Sequence, residues 1–228
     1  MPQEGKFIML KLHGFSVSNY YNMVKLALLE KEIEFEPVSR YPGQDEKCLE
    51  LSPVGKVPTL ETDKGYLCET SVILDYIEQA YPQSKPLMPS DIFEQSKVKE
   101  IIQILQLYLE LPARRCYSEA FFGGQVSQQI KDETKADLLK GIKALQLRAS
   151  FSPYVAGDEF SMADIVFIYS IDLAYSVAKK LFDIDLLENM DAVKMLIEKL
   201  KQRPHVICVL KERDAALAAF IEAKKQSN

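Results

Sequence analysis

The sequence predicts two domains: an α/β domain of order βαβ then ββα, followed by an all-helical domain. Three observations carry this. Up to residue 82 the apolar residues switch between a period of two and a period of 3.6. Beyond residue 93 only the helical period persists, and between the two regions Pro82, Pro86 and Pro89 interrupt both rhythms. The expected boundaries are a first domain over residues 1–82, a linker over 83–93 and a helical domain over 94–228.

Residues 7–13 read as a strand, with Ile8, Leu10 and Leu12 on one face. Over residues 21–30 the period lengthens, and Tyr21, Val24, Ala27 and Leu28 form one helical stripe. Residues 33–36 alternate again, giving a strand–helix–strand unit that implies parallel strands and a right-handed crossover. A polar stretch with little periodicity follows. Val57-Pro58-Thr59-Leu60-Glu61 is then a short strand containing a proline, which removes a ladder donor and is tolerated where the chain turns or the strand lies at an edge. Thr62-Asp63-Lys64-Gly65 is a turn signal before the strand Tyr66-Leu67-Cys68. Thr70, Ile73, Leu74, Ile77 and Tyr81 mark the helix that closes the first domain.

In the helical domain Val98, Ile101, Ile102, Leu105 and Leu109 form a stripe that Ile104, Leu107 and Leu111 widen. So wide an apolar arc needs more than one neighbour, a core plus either a pocket or a partner subunit. Residues 162–173 are apolar nearly all round, as in a central buried helix. Ser161 and Asp164 stand before it at capping-box spacing, with Asp in place of Glu or Gln, and are read as structural.

Composition narrows the partners. The chain has 228 residues, 47% apolar and 27% charged, and its net charge of −5 argues against a nucleic-acid or anionic-membrane surface. No leader-like apolar segment precedes Phe7, and no run approaches the ~18 apolar residues of a membrane span, so a cytoplasmic location is expected. Cys48, Cys68, Cys116 and Cys208, with His13 and His205, show no metal-ligand spacing, and no metal is expected.

Five segments in order resemble the cytosolic glutathione transferase superfamily across nearly the whole chain. They are Leu10-Lys11-Leu12-His13-Gly14-Phe15-Ser16-Val17-Ser18 running into Val24-Lys25-Leu26-Ala27-Leu28; Ser52-Pro53-Val54-Gly55-Lys56-Val57-Pro58-Thr59-Leu60; Glu69-Thr70-Ser71-Val72-Ile73-Leu74-Asp75-Tyr76-Ile77; Pro86-Leu87-Met88-Pro89; and Val155-Ala156-Gly157-Asp158-Glu159-Phe160-Ser161-Met162-Ala163-Asp164-Ile165. The resemblance implies a thioredoxin-like first domain that binds glutathione and a helical second domain that carries a pocket for a small hydrophobic electrophile. It also implies a homodimer. A class within the superfamily is not assigned beyond the serine type: Asn19 follows Ser18 where the family commonly has proline, and His13 stands where it usually has an aromatic residue.

By the same resemblance Pro58 is a cis-proline, and Val57 offers its backbone to the peptide of glutathione as an added strand would. Glu69 and Thr70 open a helix, where a carboxylate, a hydroxyl and free N–H groups suit a zwitterionic amino-acid head such as the γ-glutamyl end. Thr70 is also read as a helix cap. Lys56 pairs with the peptide's other carboxylate or stays solvated. Ser18 stands six residues before Val24, where the serine-type classes place the catalytic hydroxyl. Ser16, Tyr20 and Tyr21 are the alternative hydroxyls. No cysteine lies between Phe15 and Val24, so disulfide-exchange chemistry lacks its nucleophile there. Phe15, Tyr108 and Arg115, with Tyr117 and Phe121, are candidates for the electrophile's pocket. The expected activity is conjugation of glutathione to an electrophile. The alternatives are a non-catalytic ligand-binding module of the same fold and a glutathione-dependent isomerase or peroxidase.

Overall fold

The computed structural model describes residues 9–226. Strands β1 (Leu10–Gly14), β2 (Phe35–Ser39), β3 (Thr59–Thr62) and β4 (Gly65–Cys68) form one sheet in the order β2-β1-β3-β4. Helix α1 (Asn19–Glu30) joins the parallel pair β1 and β2, while β3 runs antiparallel to both β1 and β4. Helix α2 (Glu46–Leu51) precedes β3 and α3 (Thr70–Ala80) follows β4, giving the thioredoxin-like order. The expected start of the first strand, Phe7 and Ile8, lies outside the described residues.

The core of this unit follows from the register. Leu12 on β1 faces Leu60 on β3, and both are fully buried with Val24 and Leu28 of α1 and Ile73 and Ile77 of α3. Between α1 and β2 the chain departs from the strand expected at residues 33–36. Glu32 takes a left-handed φ of 55°, and the Ile33 N–H donates back to the Leu28 carbonyl at 2.9 Å. That is a Schellman closure, so Ile33 belongs to the cap of α1 and the strand starts at Phe35. Helix α2 lies in the polar, aperiodic stretch of the sequence, and none of its residues is buried. It is set by its cap: the Asp45 carboxylate accepts the Cys48 N–H at 3.1 Å.

The second part is helical: α4 (Ile92–Leu105), a π-helical turn (Gln106–Glu110), α5 (Leu111–Arg114), α6 (Tyr117–Phe122), α7 (Gln128–Arg148), α8 (Met162–Phe182), α9 (Asp191–Lys201) and α10 (Pro204–Gln226). Helix α4 starts inside the expected linker, because the Asp91 carboxylate accepts the N–H groups of Phe93 and Glu94 at 3.0 Å each. Gly141 on α7 faces the π turn, and a Cβ there would stand 2.3 Å from the Tyr108 carbonyl oxygen. Only glycine lets the two backbones approach so closely. Ile165, Val166 and Phe167 of α8 are fully buried.

Contacts divide the chain into two compact units, Leu87–Arg203 and the segments on either side of it. Helix α10 thus groups with the first unit, although its sequence rhythm places it with the helical domain of residues 94–228. The physical reason is its packing on α1: Val206 and Val209 are fully buried, Lys25 pairs with Glu212, and His205 Nδ1 lies 3.5 Å from Glu30.

Candidate functional site

The row of paired residues His13, Thr59 and Cys68 runs across β1, β3 and β4 at one end of the sheet. Every segment singled out in the first unit leaves the sheet beyond this row. The turn to Ser18 follows β1, Val57 and Pro58 precede β3, and Glu69 and Thr70 follow β4. Fold topology therefore gathers at one edge residues spread over fifty positions of sequence.

Ser18 is the N-cap of α1. Its hydroxyl oxygen accepts the Tyr21 N–H at 3.3 Å, and its own N–H donates to the Phe15 carbonyl at 3.0 Å. The side chain is half-buried. As an acceptor the oxygen satisfies a helix N–H, and its proton remains to be donated outward. The first turn of α1 contains no acidic residue, so nothing in it offsets the positive end of the helix dipole for an anion placed there.

The other hydroxyls differ. Tyr21 is 3% exposed, and its ring lies so close to Gly14 that a Cβ there would stand 2.3 Å from it. Burial, and secondarily the charge of Glu212, push its phenol up to about 12, so Tyr21 is packed in the core with its proton firmly held. Ser16 lies in the turn, where its carbonyl accepts the Asn22 side-chain amide at 2.8 Å. Tyr20 is half-buried on α1.

The Val57–Pro58 peptide is cis. Pro58 is buried, Val57 is half-buried, and the ladder with β1 and β4 stops at Thr59, so Val57 stands outside it. Lys56 is exposed, and its backbone N–H donates to Ser52 Oγ at 3.1 Å. Glu69 is the exposed N-cap of α3 with φ 66° and ψ 117°, and its side chain makes no capping hydrogen bond. Unlike Glu32, which closes a helix, Glu69 holds its positive φ at a helix start, a strain of about 1–3 kcal/mol. Thr70 is buried as the first residue of α3 rather than its cap.

Sequence reasoning missed Arg40. Its N–H donates to the Gly14 carbonyl at 2.9 Å, which places it at the same sheet edge. Its guanidinium donates to the Cys48 carbonyl at 2.8 Å and reaches Thr59 Oγ1 at 3.5 Å, tying α2 to the start of β3. Its one sequence signal is its place just past a strand parallel to β1. His13 is 7% exposed and lies 2.8 Å through Nε2 from Glu61, whose other oxygen takes Lys11 at 3.1 Å. It is a packed strand residue in an ion cluster.

Of the pocket candidates, Phe15 stacks on Tyr41 with centroids 4.8 Å apart in the first unit. In the second unit Tyr108 is 45% exposed on the π turn, whereas the Arg115 guanidinium is held by Asp137 and Glu133 of α7. Tyr117 donates to Glu110 at 3.2 Å and packs edge-on against Phe121. Ser161 and Asp164 form a capping box at the start of α8. Among the described residues no group of three His, Cys, Asp or Glu side chains comes together, and no helix is long and apolar enough to cross a membrane.

Residues 12–85 match the family described as the glutathione S-transferase N-terminal domain, and residues 116–213 match its C-terminal domain. A glutathione S-transferase of Pseudomonas putida is 52% identical over 214 residues, covering 94% of this chain and 97% of that protein. A probable maleylacetoacetate isomerase of Drosophila melanogaster is 31% identical over 149 residues, 62% of this chain and 63% of that protein. Among solved structures, poplar glutathione transferase F1 superposes with a TM-score of 0.76 at 20% identity, covering 92% of this chain and all of that one. The Tau class glutathione S-transferase of mango gives 0.73 at 20% identity, covering 94% of this chain and 98% of that one. These two likenesses speak for the fold alone.

Proposed function

The chain belongs to the glutathione S-transferase family, and on that premise we propose that Ser18 holds the sulfur of glutathione as a thiolate for attack on a small hydrophobic electrophile. The observation that carries this is the sheet edge beyond His13, Thr59 and Cys68, where a hydroxyl at a helix N-terminus stands with Val57 and the start of α3.

The peptide of glutathione lies along Val57 as an added strand, its γ-glutamyl ammonium meets Glu69, and its carboxylate meets the N–H groups and hydroxyl at Thr70. Lys56 serves the glycyl carboxylate. A free thiol has a pKa of about 8.5, and half-ionisation at neutral pH takes roughly 2 kcal/mol of preference for the anion. A hydrogen bond to a charged group contributes about 1.5–3 kcal/mol, and a helix N-terminus about 0.3–1 more. One hydroxyl at this position is therefore enough. The thiol proton leaves to solvent and the sulfur lone pair forms the bond to carbon. In a substitution the leaving group departs with its bonding pair; in an addition the π pair shifts onto the electrophile's electron-withdrawing group, which is then protonated from solvent. Ser18 keeps its proton throughout, and Phe15, stacked on Tyr41, offers apolar surface on the same unit.

We place the enzyme in the cytoplasm as a homodimer, a reading that the family and the wide apolar arc of α4 support and that light scattering tests. Purified protein assayed against a panel of electrophiles, beside Ser18→Ala, tests the chemistry. Retention on immobilised glutathione without turnover would favour a binding module. Turnover of a cis-alkene substrate with no conjugate formed would favour the isomerase reading, to which the Drosophila likeness lends support.

A further inference from the structure

Asn22 is fully buried in α1, at a helical position where an apolar side chain would be expected. Its Nδ2 donates to the Ser16 carbonyl at 2.8 Å, and its backbone N–H donates to the Ser18 carbonyl at 3.0 Å. With the 3.0 Å bond from the Ser18 N–H to the Phe15 carbonyl, residues 15–18 are held at their start, middle and exit. A carbonyl only accepts, so the NH2 group must face Ser16, and the amide oxygen is left over. That Oδ1 is buried and finds no hydrogen-bond partner among the described residues. A buried orphan acceptor destabilises a protein, and leucine, of similar volume, would bring none. The amide is therefore not explained by packing. It is explained by the turn, because the peptide whose carbonyl it grips leads directly to Ser18, whose φ of −73° and ψ of 116° set where the hydroxyl points.

We propose that Asn22 is a positioning residue for the thiolate step: its amide fixes the turn of residues 15–18 and so the direction in which Ser18 donates. Asn22 itself touches no substrate, being 0% exposed. The inference rests on the Ser18 reading above.

The test compares wild type, Asn22→Leu, Asn22→Ala and Ser18→Ala. The readouts are melting temperature, glutathione affinity, and the pKa of the bound thiol from its ultraviolet thiolate absorbance against pH. Asn22→Leu is expected to melt at or above the wild-type temperature and to bind glutathione with near-unchanged affinity. Its bound thiol should ionise about one unit higher, lowering kcat/KM about tenfold at pH values below that pKa. Asn22→Ala should shift the thiol in the same direction. An unshifted thiol in a folded Asn22 variant, beside a shifted one in Ser18→Ala, overturns this inference and leaves the Ser18 reading standing. An unshifted thiol in Ser18→Ala overturns the Ser18 reading itself. Activity lost from both Asn22 variants only in proportion to lost folded protein also overturns the inference, since it assigns Asn22 to stability alone.

Discussion

The hydroxyl oxygen of Ser18 accepts the amide hydrogen of Tyr21 at 3.3 Å, so one side chain both caps α1 and keeps a proton to give. Two substitutions separate these roles. Ser18→Ala removes both, and is expected to cost about 1 kcal/mol of stability and to lower kcat/KM about 10- to 150-fold, the worth of one hydrogen bond to a charged atom. Ser18→Asp keeps an equally good cap but sets a negative charge beside the sulfur. Its stability should match wild type while its turnover falls at least as far as that of the alanine variant. Denaturant melts and steady-state kinetics on the three proteins check both halves.

Tyr21→Phe makes the complementary case. Tyr21 is 3% exposed, its phenol pushed up to about 12 first by burial and then by Glu212, and it is the burial that keeps its hydroxyl from a bound sulfur. Its removal should leave the pH profile of kcat/KM in place. A profile shifted as in Ser18→Ala would transfer the thiol-activating role from Ser18 to Tyr21.

Much of the thioredoxin-like unit is legible in sequence because burial there follows a period: Leu10 and Leu12 alternate, and Ile73, Leu74 and Ile77 recur on one face. What stayed hidden lacks such a period. Helix α2 buries nothing, so its only sequence sign is Asp45 at its cap. The association of α10 with α1 depends on Lys25 meeting Glu212 across most of the chain, and no local pattern encodes that. At the site, Ser18 is marked in the sequence only through the family resemblance of the segment running into Val24. Arg40 and Asn22 carry no such mark, since each acts through a backbone carbonyl, of Cys48 and of Ser16, that only the fold brings within reach. The left-handed φ of Glu69 was likewise invisible, for glutamate gives no sign that it will adopt it.

Lys31 and Glu78 form a 2.7 Å ion pair between α1 and α3, with the Lys31 side chain 1% exposed. Removing one partner of a buried pair strands the other charge and costs about 3–5 kcal/mol. Glu78→Gln should therefore lower the denaturation midpoint strongly. Glu94→Gln, which breaks the exposed pair with Lys97 at 2.9 Å, should change it by less than about 1 kcal/mol. Equilibrium urea melts of both variants, fitted with a common slope, give the comparison.

Two carboxylates are expected to oppose each other in how stability responds to pH. On the sheet, the hydrogen bond from His13, joined by Lys11, holds Glu61 below the usual carboxylate range, against the desolvation that would raise it. A depressed folded value means that the folded state keeps its negative charge longest. This contribution is thus present above the unfolded pKa and is lost as pH falls through the folded one. Asp164 is the reverse. It is fully buried, and although it accepts the N–H groups of Val155 and Ser161 at 2.9 Å each and the Ser161 hydroxyl at 3.1 Å, burial wins and pushes its carboxyl up. Its contribution is complete below the unfolded pKa and declines as pH rises through the folded value. Melting wild type, Glu61→Gln and Asp164→Asn across the acid range distinguishes them. The stability gap between wild type and Glu61→Gln should close toward acid, and the gap to Asp164→Asn should widen there. Asp164→Ala, which orphans the buried donors and breaks the cap of α8, should cost about 2–4 kcal/mol at neutral pH while the remaining folded enzyme keeps its glutathione affinity. A loss of affinity without a loss of stability would give Asp164 a part in the site that its position at the start of α8 does not suggest.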